Sequence, residues 1–299
     1  MKRLTPWLAT WMLAAACGTA DSASDSSDAS TSPVGDDGGS HPADLDAAKP
    51  VTDGAATSDA KTDAPSAPGC AGKSYKLCED FESSAVSTTP SGWTVLKGYG
   101  SAPPTTVVAS DDFHSGAHSL KTSSSVAGAS RVQKALSGIG TTAGTHWGRI
   151  FFKVKSPAPQ LTMQGPHTTF VALEGNLRAG ELRVVDTQQA TSGKIQLLAN
   201  TPDDQCCTGT GFTYAIYDGA WHCSEWYVDQ VTQSYRYFLD DVEIKALAFD
   251  YGAGSMKANM PAAFTTVGVG AIFYTPTLPS ALVTWFDDLA IDDAQIGCR

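Results

Sequence analysis

The sequence predicts an all-β domain built as an antiparallel β-sandwich. Short apolar runs rich in Val, Thr, Tyr, Phe and Trp recur between turn residues from about residue 75 to the end of the chain, and long helical periodicity is absent. The stretch that carries these runs, about 230 residues long, suits a single sandwich or barrel domain.

The candidate strands follow one another along the whole of this domain. Asp240 and Asp241 separate two of them and indicate a tight hairpin turn. The predicted strands are 75–81, 105–110, 118–123, 147–154, 168–174, 181–187, 194–200, 213–217, 223–230, 234–241, 242–247, 265–273 and 282–291.

Period-two alternation sorts side chains between the two faces of a strand. In "GELRVVDT" (180–187), alternation puts Arg183 on one face and Asp186 on the other. Leu182 and Val184 accompany Asp186 on the apolar face. The face that carries Arg183 is therefore polar, and in a large sandwich such a face is where an extended polymer would lie.

The N-terminus reads as an export signal. Residues 1–17 have a basic start, an apolar run too short to span a membrane, and small residues leading into Cys17. This ending resembles the lipobox of bacterial lipoproteins, which implies lipidation of Cys17 and a location at the bacterial cell surface or outer membrane. The alternative is an ordinary secretory signal in which Cys17 is incidental and the protein is secreted.

Residues 18–69 predict a disordered acidic tether, which leaves 70–299 as the folded domain. The tether consists mostly of Ser, Thr, Ala, Asp, Gly and Pro and has no Phe, Trp or Tyr, so it cannot bury enough apolar surface to offset its ordering entropy. It carries a net charge of −8 of the −11 of the chain. The domain has no basic patch, so nucleic acid is not an expected partner.

Six cysteines fall in the domain, an even number that predicts disulfides in an exported chain. They permit fifteen pairings, among which the sequence does not choose. We expect Cys70 or Cys78 to pair with Cys298, and Cys206 or Cys207 to pair with Cys223. Their spacing, without CxxC and histidine partners, argues against zinc.

Several segments, in the same order along the domain, resemble the fungal cellulose-induced jelly-roll proteins, whose fold relatives are the alginate and glucuronan lyases. The resemblance implies a jelly roll of the concanavalin and alginate-lyase type. The segments are "CEDFES" (78–83), "DDFHSGAHSLK" (111–121), "WGRIFF" (147–152), "HTTF" (167–170), "GELRVV" (180–185), "WHCSEWYVD" (221–229), "YFLDDVEI" (237–244) and "TWFDDLAIDDAQIGC" (284–298).

The resemblance implies a structural calcium between the first strand, the "HSG" turn and the last strand. Carried over, its ligands are Glu82, the turn from Ser115 to His118, and an aspartate of "WFDD", Asp288 before Asp287. Strand alternation puts Asp287 and Asp288 on opposite faces, so when Asp288 binds the ion, Asp287 is expected to meet solvent. Where this chain has His118 the family has Asn, so a backbone carbonyl or water would serve there. Carboxylate and carbonyl oxygens are the ligands that Ca²⁺ prefers. The alternative is that these acids are simply solvated at a strand end.

The lyase relatives imply β-elimination on a uronic-acid polymer, which needs a cation, a base and an acid. The resemblance gives Arg183 as the cation, and His167 is the candidate base. Glu225 is a further candidate base. The candidate acids are Tyr217 and the alternatives Tyr214, Tyr227 and Tyr235. The Gln-Ile-His triplet and the Tyr-Phe-Lys strand of the lyases are absent; "DTQQAT" offers Gln188 and Gln189 without a histidine.

Three functions follow from these patterns. The first is a monomeric, surface-anchored protein that acts on or binds plant or microbial polysaccharide, as a uronan lyase if it is an enzyme. The second is a non-catalytic, calcium-stabilised glycan-binding module. The third is a structural or adhesive surface lipoprotein with no sugar site, tethered to the membrane through Cys17.

Overall fold

The computed structural model describes residues 69–96, 105–139, 144–160, 167–175, 181–200, 207–255, 257–258, 260 and 263–299. Within these ranges the chain forms fourteen β-strands, one short 3₁₀ turn and no α-helix, which confirms the predicted all-β class. None of the described residues belongs to a helix long and apolar enough to cross a membrane. The predicted signal, Cys17 and nearly all of the predicted tether lie outside the described residues.

The strands match most of the predicted segments. Their bounds are β1 Leu77–Glu79, β2 Thr94–Leu96, β3 Thr105–Ala109, β4 Ser119–Ala135, β5 Thr145–Val154, β6 His167–Gly175, β7 Glu181–Gln189, β8 Ile195–Asn200, β9 Cys207–Gly209, β10 Trp221–Asp229, β11 Ser234–Leu239, β12 Val242–Glu243, β13 Phe249–Asp250 and β14 Phe264–Asp292, with the 3₁₀ turn at Lys245–Leu247.

One curled antiparallel sheet contains all of these strands. Its main path runs β12-β11-β10-β5-β14-β6-β7-β8-β9, and β4 joins it through β14. Strand β14 is long enough to pair with β5 near its end and with β6 near its beginning, while β4 follows it along most of its length. This path is consistent with the predicted jelly-roll sandwich.

The predicted hairpin at Asp240 and Asp241 is confirmed. Both residues have positive φ, 52° and 65°, as a two-residue turn between right-twisted strands requires. The segment after the turn is shorter than predicted, because β12 ends at Glu243 and the chain enters the 3₁₀ turn.

Three other predicted segments differ from the structure. Segment 213–217 forms only a single bridge between Tyr214 and Ile195. Segments 265–273 and 282–291 are halves of one strand, β14, in which register shifts after Phe273 absorb the turn-like residues between them. A break in the apolar pattern thus marked an irregularity and not the end of the strand.

The core is a layer of large rings from the inner faces of the central strands. The ring of Phe170 lies 5.9 Å from that of Phe152 and 5.5 Å from that of Phe286. Trp226 is fully buried against Gly148, where an added Cβ would lie only 2.2 Å from the indole. Gly148 is therefore required by close packing between β5 and β10.

The predicted disulfides are wrong. Cys70 pairs with Cys78, and Cys223 pairs with Cys298. The first bridge closes a short loop at the start of the domain, since Lys73 N–H bonds Cys70 C=O in a turn that brings the two cysteines together. The second bridge joins the C-terminal segment to β10. Cys206 lies outside the described residues.

Candidate functional site

Strands β6 and β7 bring His167 to an aspartate. His167 begins β6, and its Nε2 lies 2.5 Å from Oδ2 of Asp186 on β7. The other carboxylate oxygen of Asp186 accepts a hydrogen bond of 2.8 Å from the Thr169 hydroxyl. Asp186 is buried, whereas the His167 side chain is 22% exposed. The pair is thus a fixed carboxylate holding an accessible imidazole.

Arg183 lies beside this pair, on the other side of a tyrosine. The guanidinium carbon of Arg183 is 4.7 Å from the ring centroid of Tyr274 on β14. The same ring lies 4.8 Å from that of His167. The predicted base, His167, and the predicted cation, Arg183, therefore lie on either side of the Tyr274 phenol.

The sequence had assigned Arg183 and Asp186 to opposite faces, and this prediction is wrong. A register shift between these two residues in the pairing of β7 with β8, together with shifts in its pairing with β6, interrupts strict alternation. Asp186 then acts electrostatically on Arg183, with which it shares the polar face. A bulge next to a site re-aims a side chain in this way.

A second arginine, which the sequence analysis missed, lies beneath this face. Arg131 of β4 donates Nη2 to Oε2 of Glu181 at 2.7 Å and to Oε1 of Glu174 at 3.0 Å. Its side chain crosses β14 at Gly268, where an added Cβ would lie 3.4 Å from it. Glu181 in turn accepts from Arg183 Nε at 2.8 Å. Arg131 lies outside the predicted strand 118–123, which the structure extends to Ala135, so no strand pattern in the sequence pointed to it.

Burial and charge set the protonation of these groups. Burial alone would raise the pKa of Glu181, but Arg131 and Arg183 outweigh it and hold that pKa below its ordinary value. Burial raises the pKa of Tyr274 to about 12, against the opposing effect of Arg183. Glu181 is therefore a carboxylate and Tyr274 a neutral phenol at neutral pH.

Gln188 completes the polar face. It lies directly opposite His167 in the pairing of β6 with β7, and directly opposed residues share a face. The lyase triplet expected on one strand is absent from this chain, yet a glutamine and a histidine lie side by side from two neighbouring strands. Only the register between β6 and β7 shows that Gln188 and His167 are neighbours.

The remaining predicted catalytic residues lie elsewhere. Tyr217 is buried, with its hydroxyl 2.8 Å from Oγ1 of Thr187, and burial raises its pKa. Glu225 is also buried, and its carboxylate accepts bonds from the C-terminal segment: from Gln295 Nε2 at 3.0 Å and from the N–H groups of Ile296 and Gly297 at 2.9 and 2.7 Å. Both side chains have structural partners.

The alternative tyrosines do not join the site either. The Tyr235 hydroxyl donates to Val184 C=O at 2.9 Å in the core. Tyr214 forms the isolated bridge to Ile195, and Tyr227 lies on β10. The tyrosine that does lie with His167 and Arg183 is Tyr274, one residue past the end of a predicted strand.

The predicted calcium ligands meet at one turn. Glu82 Oε1 accepts the N–H groups of Ala117 and His118, each at 2.7 Å. On the other side of the turn, Asp288 Oδ1 accepts the Ser115 hydroxyl at 2.8 Å. The four residues that the family resemblance named are thus in one neighbourhood.

In the structure, the oxygen atoms of these residues are not arranged as the coordination shell of a metal ion. The Asp288 carboxylate accepts hydrogen bonds from the Ser115 hydroxyl and from Gly69 N–H, the latter at 3.2 Å. Its Oδ2 also lies 2.7 Å from His114 Nδ1. Among the described residues no three His, Cys, Asp or Glu side chains are grouped closely enough to hold a metal ion. The arrangement therefore does not fit a calcium ion without exchange of partners.

The expectation that Asp287 meets solvent is wrong. Asp287 is fully buried, and its carboxylate accepts the N–H groups of His114 and Ser115 at 2.8 and 3.2 Å. Asp288 adopts φ 49° within a bulge, so both aspartates turn towards the same loop. Burial and the adjacent Asp288 carboxylate raise the pKa of Asp287 to about 9. Asp287 thus fixes the loop through its backbone, and Asp288 fixes it through the side chains of His114 and Ser115.

The architecture has counterparts among solved structures. The cellulose-induced protein Cip1 matches with a TM-score of 0.53 and 19% identity, over 75% of this chain and 100% of that one. The domain has the Cip1 fold. An endo-β-1,4-glucuronan lyase from the fungus Trichoderma reesei matches with a TM-score of 0.49 and 11% identity, over 74% and 96% of the two chains. An alginate lyase in complex with alginate trisaccharide matches with a TM-score of 0.49 and 8% identity, over 73% of this chain and 98% of that one.

The likeness to Cip1 confirms, at the level of the fold, the resemblance to cellulose-induced jelly-roll proteins. The sequence matches no protein-family profile and no curated protein. The function of the Cip1-like domain therefore has to be argued from its own side chains.

Proposed function

We propose that this protein acts on acidic polysaccharide, as a uronan lyase, at the polar face formed by β4, β14, β6 and β7. The observation that carries the proposal is the position of Tyr274, whose ring lies 4.8 Å from that of His167 and 4.7 Å from the Arg183 guanidinium. A base, an acid and a cation are the groups that β-elimination requires.

Each group has a role set by its surroundings. Asp186 orients His167, which removes the proton from C5 of the uronate. Tyr274 stays protonated at neutral pH. As the C4=C5 double bond forms and the C4–O bond of the same uronate breaks, Tyr274 gives its proton to the glycosidic oxygen that leaves with the neighbouring sugar. Arg183 faces the uronate carboxylate and stabilises the charge that develops on it when the proton leaves. Glu181 and Arg131 hold Arg183 in place.

The experiment is to incubate the full chain with glucuronan and with alginate and to follow the ultraviolet absorbance of the unsaturated product. The proposal predicts that absorbance rises with at least one uronan and that Arg183→Ala removes the rise. No absorbance with any uronan would contradict lyase activity.

One observation favours a second function, non-catalytic glycan binding. Both arginines of the face are already paired with carboxylates, since Arg131 contacts Glu174 and Glu181 and Arg183 contacts Glu181. Such a face offers less free positive charge to a polyanion. Retention of the chain on an immobilised polysaccharide without product formation would favour this alternative.

Calcium binding at Glu82 and Asp288 stays a prediction of the family resemblance, with a structural role. Binding requires Asp288, both of whose carboxylate oxygens have partners, to exchange at least one of them for the ion. We expect added Ca²⁺ to raise the melting temperature, a chelator to lower it, and Glu82→Gln to abolish the response. A melting temperature that is the same with calcium and with chelator would contradict the prediction.

Surface anchoring is a further proposal, supported by the lipobox-like ending of residues 1–17. In a bacterial host, Cys17→Ser is expected to remove the lipid and to release the protein from the membrane fraction. Metabolic labelling with a fatty acid measures the first effect, and fractionation measures the second. Labelling that persists in the variant would exclude Cys17 as the anchor.

A further inference from the structure

An aromatic cluster lies on a different set of strands from the proposed cleavage site. The ring of Trp147 on β5 is 5.0 Å from that of Tyr227 on β10 and 5.7 Å from that of Phe238 on β11. All three side chains are partly exposed. They stand on the outer face of these strands, because their neighbours Trp226 and Tyr237 point into the core. We call the three rings the aromatic platform.

The C-terminal segment leaves this end of the face open. Further along the same face, Glu225 and Arg149 bind Gly297, so the segment covers the middle of β5 and β10. Trp147 lies opposite Asp292, the last residue of β14, and its ring, like those of Tyr227 and Phe238, stays partly exposed. The platform therefore faces solvent beside the covered region.

The charge around the platform is negative. Asp229 and Asp250 act electrostatically on Tyr227 from the edge, opposed by Arg236. Glu243 lies 3.8 Å from Arg236 and partly neutralises it. A polyanion is disfavoured at such a rim, whereas carboxylates readily accept hydrogen bonds from sugar hydroxyls. The negative charge at the edge of the platform therefore favours a neutral ligand over a polyanion.

The size of the platform also limits its partner. Three partly buried rings expose at most ~250 Å² together, since a fully exposed ring of this kind presents 150–250 Å². A stable dimer needs ~800 Å² from each subunit. The platform is too small for a second copy of the chain and matches the length of a few sugar rings.

We propose that the aromatic platform is a second glycan-binding site, which takes a neutral β-1,4-linked glucan. In such a chain the hydroxyls are equatorial, so the sugar faces are apolar C–H surfaces that stack on aromatic rings. Glu243 accepts hydrogen bonds from the hydroxyls at the edge. The site does not depend on the proposed uronan cleavage.

The test is calorimetric titration of the full chain with cellohexaose, in parallel with the uronan assay. We expect wild type to bind, Tyr227→Ala to weaken binding by about tenfold or more, and Tyr227→Phe to retain it because the ring remains. Val231→Ala is the matched control: it removes an apolar side chain, 61% exposed, from the turn that follows β10. Near-ultraviolet circular dichroism establishes that each variant is folded.

Three outcomes would overturn the proposal. The first is absence of cellohexaose binding by wild type, and the second is equal binding by Tyr227→Ala. The third is a wild-type dimer in sedimentation that Tyr227→Ala dissociates, which would assign the platform to a second copy. If the chain cleaves uronan but does not bind cellohexaose, the platform proposal is wrong and the proposed lyase function is unaffected.

Discussion

Replacing His167 by alanine is expected to lower the rate of uronan cleavage by about 10²–10⁴-fold. The imidazole is held by Asp186 at 2.5 Å and is accessible from the polar face, so its removal takes away the base without opening the core. Initial rates of product absorbance at saturating glucuronan measure the effect. Asp186→Asn is expected to reduce the rate less, because it weakens the orientation of His167 and leaves the ring in place.

A histidine elsewhere in the chain provides the control. His222 on β10 is also held by aspartates, with Nδ1 2.8 Å from Asp240 and Nε2 3.2 Å from Asp218. His222→Ala is expected to leave the cleavage rate unchanged while removing a comparable set of histidine–aspartate hydrogen bonds. Equal losses in the His167 and His222 variants would indicate damage to the fold, and an active His167→Ala protein would rule out His167 as the base.

Removing the Cys223–Cys298 bridge is expected to lower the free energy of unfolding by about 4 kcal/mol. This bridge spans 75 residues, and the entropy that a cross-link removes from the unfolded chain grows with the length of the closed loop. The double variant Cys223→Ser/Cys298→Ser, measured by chemical denaturation, checks the value. The hydrogen bonds that the N–H groups of Ile296 and Gly297 donate to Glu225 are expected to keep the segment near β10 in the folded variant.

The second bridge is the matched comparison. Cys70 and Cys78 are eight residues apart, and a loop of that length gives about 2–3 kcal/mol. Cys70→Ser/Cys78→Ser is therefore expected to be the less destabilised of the two double variants. The reverse order would show that native contacts of the two ends, and not loop length, dominate the stabilisation.

Much of the fold was predictable because it rests on local patterns. Val- and aromatic-rich alternation predicted most strands, and the Asp240-Asp241 turn was predicted from its residues alone. The merging of two predicted strands into β14 was not predictable, because it depends on pairing with β4 and β6 across register shifts. The disulfides depend on which segments come together at the end of folding, and their prediction was wrong.

The candidate site was predictable only in part, for the same reason. His167 and Arg183 were singled out by residue type and resemblance, but Tyr274 and Arg131 come from strands distant in sequence. Asp186 was assigned to the wrong face because a bulge in β7 interrupts alternation. Residue type indicates which side chains are capable of the chemistry, whereas register decides which of them meet.

By itself, the sequence determined the class of the fold, since the period of apolar residues dictates extended strands with one buried face. It also determined the type of groups available for catalysis and the acidic, aromatic-free composition of residues 18–69. The tertiary structure alone decided that Glu225 holds the C-terminal segment and that Asp287 and Asp288 both bind the loop at His114. It also decided that Tyr274 stands between His167 and Arg183. These are contacts between strands far apart in the chain, and their partners are set by sheet register, bulges and burial, none of which a local pattern encodes.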